Sequence, residues 1–209
     1  MHIAEGYLPI EQCILWFVIS LIIVIYGVVK LREFKNENPE SKPLLYISGA
    51  VMFILSFIRF PSVVGGSSHP TGNGFSGSLF GPAITSVLVA VMLLLQSLIL
   101  GYGGITTLGA NIFAIGVVGP FVAWVIYNNL SKMNIPLVIV LLLAGFFANI
   151  FTYLTTALQL AFAFPEPNFI VAFINFAAIF SVTQIPLAII DAIIVVILWH
   201  VLKPISKLN

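Results

Sequence analysis

The stretch Ile10-Glu-Gln-Cys-Ile-Leu-Trp-Phe-Val-Ile-Ser-Leu-Ile-Ile-Val-Ile-Tyr-Gly-Val-Val29 runs straight into Lys30-Leu-Arg32. Twenty mostly apolar residues coiled as a helix reach about 30 Å, the thickness of a bilayer's hydrocarbon core. No cation precedes the run and no small-residue cleavage pattern follows it, so it reads as a retained helix rather than a leader. Lys30, Arg32, Lys35 and Lys42 crowd its far end. The positive-inside rule puts that end in the cytoplasm and Met1 outside, and acidic Glu5 and Glu11 weigh little against it.

Working outward, residues 44–60, 79–100, 108–127 and 136–160 are further apolar runs, and a Gly-, Ser- and Pro-rich loop covers residues 61–74. Gly101, Gly103 and Gly104 mark a turn, and residues 128–134 form a polar one. Residues 162–202 are about twice a single span in length. Pro165, Pro167 and Pro186 divide them into two expected helices, at residues 168–181 and 184–202. The count is seven, with an outside N-terminus and a cytoplasmic C-terminus; six is the alternative. Lys203 and Lys207 agree with that topology, and Lys132, placed outside, departs from it.

Composition excludes the other classes. Of 209 residues 60% are hydrophobic and 7% charged, against roughly 25% charged in soluble domains. Eight Lys or Arg and seven Asp or Glu cannot coat a soluble fold, and disorder fails on the same count. A net charge of +1 offers no basic field for nucleic acid, so lipid is the expected surrounding. The lone Cys13 cannot build a disulfide framework. Continuous rather than alternating apolar runs exclude a membrane barrel. The expected fold is an all-α polytopic membrane protein, residues 1–209 forming one transmembrane domain in the cell membrane.

Asn111, Asn149, Asn175, Gln96, Gln159, Gln184 and Asp191 interrupt the apolar runs. Interhelical hydrogen bonding is their ordinary use. Asp191, the single acid inside a span, faces a cavity or a partner. The pairs Gly77/Gly81, Ala110/Ala114 and Ala144/Ala148 read as close helix contacts. Arg59 and His200 sit at helix ends, where interfacial placement suffices.

His2 and His69 share the outer face. A histidine at position 2 beside a free α-amine is a chelating constellation. The Met1 amine nitrogen, the His2 backbone nitrogen and its imidazole Nδ1 close a five-membered and a six-membered ring on one metal. Displacing the amide proton requires a metal that binds nitrogen strongly in a tetragonal field, which favours Cu(II), Ni(II) or low-spin Co(II) over Mg, Ca or Mn. His69 is the candidate for the fourth in-plane position. Gly65, Gly66, Gly72 and Gly74 permit its loop to fold inward. Glu5, Ser68, Thr71 and Asn73 are candidates to hydrogen-bond the ligating groups.

Several segments then match a known pattern: Met1-His-Ile-Ala-Glu-Gly-Tyr-Leu-Pro9, Pro61-Ser-Val63, Ser68-His-Pro-Thr-Gly72, Leu79-Phe-Gly-Pro82, Gly103-Gly-Ile-Thr-Thr-Leu-Gly-Ala-Asn111 and Thr183-Gln-Ile-Pro-Leu-Ala188. End to end the chain resembles the CbiM/NikM family, the substrate-binding (S) subunits of cobalt and nickel energy-coupling factor transporters. The resemblance implies a first helix added to a six-helix core and a metal held by Met1, His2 and His69. The segments Glu5-Gly-Tyr-Leu-Pro9 and Phe164-Pro-Glu-Pro167 resemble the cobalt branch, which implies Co²⁺ as substrate, feeding cobalamin biosynthesis. Ni²⁺ is the alternative, since it suits the same nitrogen donors. The implied partners are a CbiQ-like coupling subunit, a CbiO-like ATPase pair and a small CbiN-like membrane subunit. The chain itself has no Gly-x-x-x-x-Gly-Lys-[Ser/Thr] loop for ATP. A self-contained secondary metal permease would need intramembrane ionisable groups beyond Asp191. An intramembrane enzyme would need a His-Glu-x-x-His or Gly-x-Ser-x-Gly motif, and neither occurs.

Overall fold

Pro9, extended at φ −54° and ψ 148°, sets the start of α1 (Ile10–Glu37). The apolar run carries the helix 28 residues, about 42 Å. Its buried residues Cys13, Trp16, Ser20 and Gly27 form one stripe, while Ile14, Val18, Ile22 and Ile25 are exposed. A helix laid on the edge of a bundle in lipid has this pattern. The structure, a computed structural model, describes residues 2–61 and 66–202. Met1, Lys203 and Lys207, on which three of the expectations above fall, lie outside the described residues.

After a 3₁₀ turn at Pro39–Ser41 comes α2 (Lys42–Leu55). Its 14 residues rise about 21 Å, and tight turns extend it to Ile58. Then follow α3 (Asn73–Leu95), continued by wider π turns over Gln96–Leu100, and α4 (Leu108–Asn111), joined through π turns to α5 (Gly119–Leu130). The last two helices are α6 (Leu137–Ala163) and α7 (Phe169–Leu202). Five helices among the described residues are long and apolar enough to cross a membrane: α1, α3 with its continuation, α4 to α5, α6 and α7.

The expected break of residues 162–202 into two helices does not occur. α7 is one helix of 34 residues, with Pro186 inside it. A proline removes one backbone hydrogen bond, and membrane helices tolerate that loss because neighbouring groups take up the freed carbonyls. Thr183 Oγ1 donates to the Phe180 carbonyl at 3.2 Å in the turn before the proline.

A break appears instead inside α3. Gly81 has φ 75° and ψ 174° and is followed by Pro82. Only glycine takes that backbone conformation without strain, and a proline restricts the residue before it. The neighbours show what the break does. Asn73 reaches the Ile115 carbonyl at 2.9 Å, the Gly77 face lies against Pro120, and Gly81 lies against Trp124. Val89 is back at the level of Gly116. The chain therefore runs along α5 over residues 73–80, reverses at Gly81, and returns over residues 82–100. Gly77 meets its neighbour as a small-residue contact should, whereas Gly81 serves as a hinge in the path.

The fold is mostly helical but not wholly so. Three short strands form an antiparallel sheet in the order β1 (His2–Ile3), β3 (Gly66–Ser68), β2 (Phe60–Pro61). The register pairs His2 with Ser67 and Phe60 with Ser68. The residues ahead of α1 thereby run beside the loop that carries His69.

Candidate metal centre

β1 is held from two sides. Its register with β3 aligns Ile3 with Gly66. On the other side Asn111 grips Ile3 as a neighbouring strand would: Oδ1 accepts from the Ile3 amide at 2.8 Å, and Nδ2 donates to the Ile3 carbonyl at 3.0 Å. Thr107 Oγ1 donates to the same carbonyl at 2.9 Å. Asn111 lies where α4 passes into π turns, an irregularity common beside functional sites. The Glu5 amide donates to the Gly103 carbonyl at 3.1 Å. Gly103 has φ 71°, and a Cβ there would lie 3.7 Å from the His2 side chain and 3.1 Å from Asn111 Nδ2. Glycine at this turn lets the loop close over His2.

The arrangement brings the two expected histidines together. His2 and His69 are both 0% exposed, their ring centroids are 4.7 Å apart, and their Nε2 atoms are 3.4 Å apart. His69 Nδ1 lies 2.7 Å from the Pro70 carbonyl. Nδ1 therefore carries the proton, and Nε2 presents a free lone pair toward His2. His2 Nδ1 lies 3.4 Å from Ser67 Oγ. Burial, above all, pushes both imidazoles below the usual histidine range, His69 to about 3, and the nearby Arg59 acts in the same direction. Both rings are thus neutral, the form that binds metal. Nitrogens 3.4 Å apart can share one first-row ion at about 2.0–2.1 Å from each. Among the described residues no third His, Cys, Asp or Glu completes a metal-sized cluster.

Glu5, Ser68, Thr71 and Asn73 hold the surrounding chain rather than the rings. Glu5 is exposed and accepts from the Thr106 hydroxyl at 2.5 Å and the Thr106 amide at 3.2 Å, contacts that lower its carboxyl below the usual range. Ser68 Oγ accepts from Gln184 Nε2. Thr71 is bound to Asp191 through its amide and hydroxyl, and Asn73 Nδ2 donates to the Ile115 carbonyl and to Thr152. The hydrogen-bond partners of the rings are Ser67, whose hydroxyl the loop sequence offered for this use, and the Pro70 carbonyl, which the sequence did not mark. Of the loop glycines described, Gly72 has positive φ, at 64°, while Gly65 lies outside the described residues. Gln96 is wholly buried, with its side-chain amide beside the His2 imidazole.

Comparison with known proteins agrees with this reading of the chain. The family model CbiM, "Cobalt uptake substrate-specific transmembrane region", matches residues 2–207. A CbiM protein of Methanococcus voltae is 54% identical over 97% of this chain and 91% of its own. The cobalt transport protein CbiM of Desulforamulus reducens is 46% identical over 97% of this chain and 81% of its own. For that of Streptococcus sanguinis the figures are 42%, 97% and 84%. The crystal structure of a transition-metal transporter superposes with a TM-score of 0.83 at 23% identity, covering 100% of this chain and 95% of the other. A truncated transition-metal transporter gives 0.81 at 24%, covering 99% and 100%. Both share the fold. With its apolar membrane-crossing helices and a match that spans nearly its whole length, the chain belongs to the CbiM family of cobalt-transport membrane proteins.

Proposed function

We propose that this chain captures Co²⁺ from outside the cell as the substrate-binding subunit of an ATP-driven energy-coupling factor importer. Residues 1–209 act in it as one transmembrane domain. The observation that carries the reading is the buried, neutral His2–His69 pair, with ring centroids 4.7 Å apart. Co²⁺ takes the Met1 amine, the His2 amide nitrogen and imidazole, and His69 Nε2. The amide gives up its proton to solvent as the Co–N bond forms. The chelate uses Nδ1 of His2, so loading turns that ring away from Ser67. His69 is already set, since its Nδ1–H is committed to the Pro70 carbonyl. The partners are a CbiQ-like coupling subunit, a CbiO-like ATPase pair and a CbiN-like subunit. The chain is a transport component, not an enzyme.

Seven membrane segments fit the contacts: α1, α2, the short inward helix of residues 73–80, residues 82–100, residues 108–130, α6 and α7. The N-terminus is outside and the C-terminus cytoplasmic. This division supports the orientation read from charge, because Lys132 now joins Lys30, Arg32, Lys35 and Lys42 on one face.

Metal content of the purified chain tests the site. His69→Ala removes one of four donors without touching a helix core. Gly-Gly-Ser placed before Met1 turns the amine into a peptide nitrogen. Each is expected to abolish tight Co²⁺ binding in protein that still inserts and folds, and near-native content in either variant would sink the ligand set. Uptake in cells is expected only with the ATPase and coupling subunits co-expressed. Uptake into liposomes holding this chain alone would contradict the partnership.

A further inference from the structure

Next to the histidine loop lies a buried charge that metal ligation leaves unused. Asp191, in α7, is 2% exposed. Four donor groups converge on it: the Thr71 amide (3.1 Å), the Thr71 hydroxyl (2.9 Å), the Gly72 amide (3.1 Å) and Asn149 Nδ2 from α6 (2.8 Å). Among the described residues the one ion pair is Lys30–Glu33, so no cation balances Asp191. Because N–H and O–H donors occupy both its oxygens, the carboxylate is not itself a cation site, which would need free oxygens. A buried anion with neutral donors alone is expensive to keep. Three of the four donors, however, belong to Thr71 and Gly72, in the turn that follows His69-Pro70. They tie the charge to the metal site.

We propose that Asp191 is the counter-charge of the loaded metal site, acting through space and through the Thr71–Gly72 turn; the inference rests on the Co²⁺ site proposed above. A divalent ion, one displaced amide proton and otherwise neutral nitrogen ligands leave a net charge of +1 inside the bundle. Arg59 adds a positive charge near both imidazoles, its guanidinium 4.3 Å from the Tyr102 ring centre. Glu5 is exposed, and water and salt screen it. Asp191 offsets the +1 of the loaded metal and its ligands, leaving the Arg59 charge as the remainder. Only Pro70 separates His69 from Thr71, so the carboxylate lies roughly 8–10 Å from the ion. At an effective dielectric of about 20, one unit charge at that distance changes affinity by about fifteen- to thirtyfold.

The test is Co²⁺ titration of the purified full-length chain, with folding checked by size-exclusion chromatography. Asp191→Asn is expected to weaken Co²⁺ binding at least tenfold. The double variant Asp191→Asn with Asn149→Asp moves the charge across one hydrogen bond of 2.8 Å and exchanges donor and acceptor within the pair. It is expected to bind within about threefold of native, as is Asp191→Glu. A clamp that merely shaped the loop would not be rescued by moving the charge. Unchanged affinity in Asp191→Asn overturns the proposal, and so does a loss that the double variant fails to repair. If Asp191→Asn does not fold, the double variant and Asp191→Glu decide: a tenfold loss in either overturns it. Absence of Co²⁺ binding by the native chain fails the metal-site reading and this inference together, whereas native binding that His69→Ala abolishes and Asp191→Asn leaves intact fails this inference alone.

Discussion

At the scale of single residues, the proposed metal centre depends on how residues 2 and 3 are held. A chain terminus is ordinarily frayed, yet the proposed chelate needs residues 2 and 3 fixed. Asn111 supplies that by pairing with both backbone groups of Ile3. Asn111→Ala would leave the buried Ile3 amide unpaired, a cost of about 1–3 kcal/mol. Co²⁺ affinity is therefore expected to fall by roughly 5- to 150-fold while α4 and α5 stay folded. Titration of the variant at native-like thermal stability checks this, and unchanged affinity would remove Asn111 from the site. His2 and His69 were legible in the sequence, because histidine beside a terminal amine has a specific chemistry. Asn111 was not: an amide in an apolar helix ordinarily bonds a neighbouring helix, and no spacing rule says it will reach backbone 108 residues earlier. Asp191 and Gln184 were opaque for the same reason; each was visible as a polar group in an apolar run, while its partner in the His69 loop was not.

At the scale of elements, hydropathy found the apolar runs but placed two of their interruptions wrongly. It treated Pro186 as a boundary, though α7 continues through it. It also joined residues 79–100 into one run, although the chain reverses at Gly81. A window average cannot see a reversal two residues into an apolar run, and the arm before it, residues 73–80, holds too many Gly and Ser residues to register as a run of its own. The local signal was Gly81-Pro82, a glycine free to adopt φ 75° ahead of a residue that cannot donate a hydrogen bond. The space around Gly81 is adequate, the nearest atom to an added Cβ being Trp124 Cδ1 at 3.4 Å. The cost of Gly81→Ala therefore comes from backbone strain, about 1–3 kcal/mol. Thermal unfolding in detergent is expected to shift down accordingly, and Co²⁺ affinity to fall less than stability does. A variant as stable as native would mean that the backbone at this position is not confined to the glycine region.

At the scale of the whole molecule, the reversal at Gly81 changes which stretches make up the seven proposed segments. The short inward helix of residues 73–80 begins just after the His69 loop, at the level of Asp191 and of Thr152 in α6. It ends where Phe80 meets Phe34 edge to face at 5.4 Å, beside the Lys30–Glu33 pair. Irregular backbone at that depth is tolerated because it is enclosed by protein; residues 67–73 are all buried. The C-terminal end of α1 and the end of α5 thus share a face, and the Gly103 turn shares the other with Glu5. Site-directed labelling can test this directly. Cys13 is the chain's one cysteine, buried, with its thiol on the Leu8 carbonyl, so a Cys13→Ala background is silent. Single cysteines at the exposed positions Asn36, Lys132, Ile105 and Glu166 then report the two faces. An impermeant maleimide added to intact cells is expected to label Ile105→Cys and Glu166→Cys, and to reach Asn36→Cys and Lys132→Cys only after the membrane is opened. Lys132 decides the matter: hydropathy counting leaves it outside, whereas a chain that reverses at Gly81 carries it in. Labelling of Lys132→Cys from outside, with Asn36→Cys protected, would show that the inward helix does not reach the cytoplasmic face and would return the count to a different set of crossings.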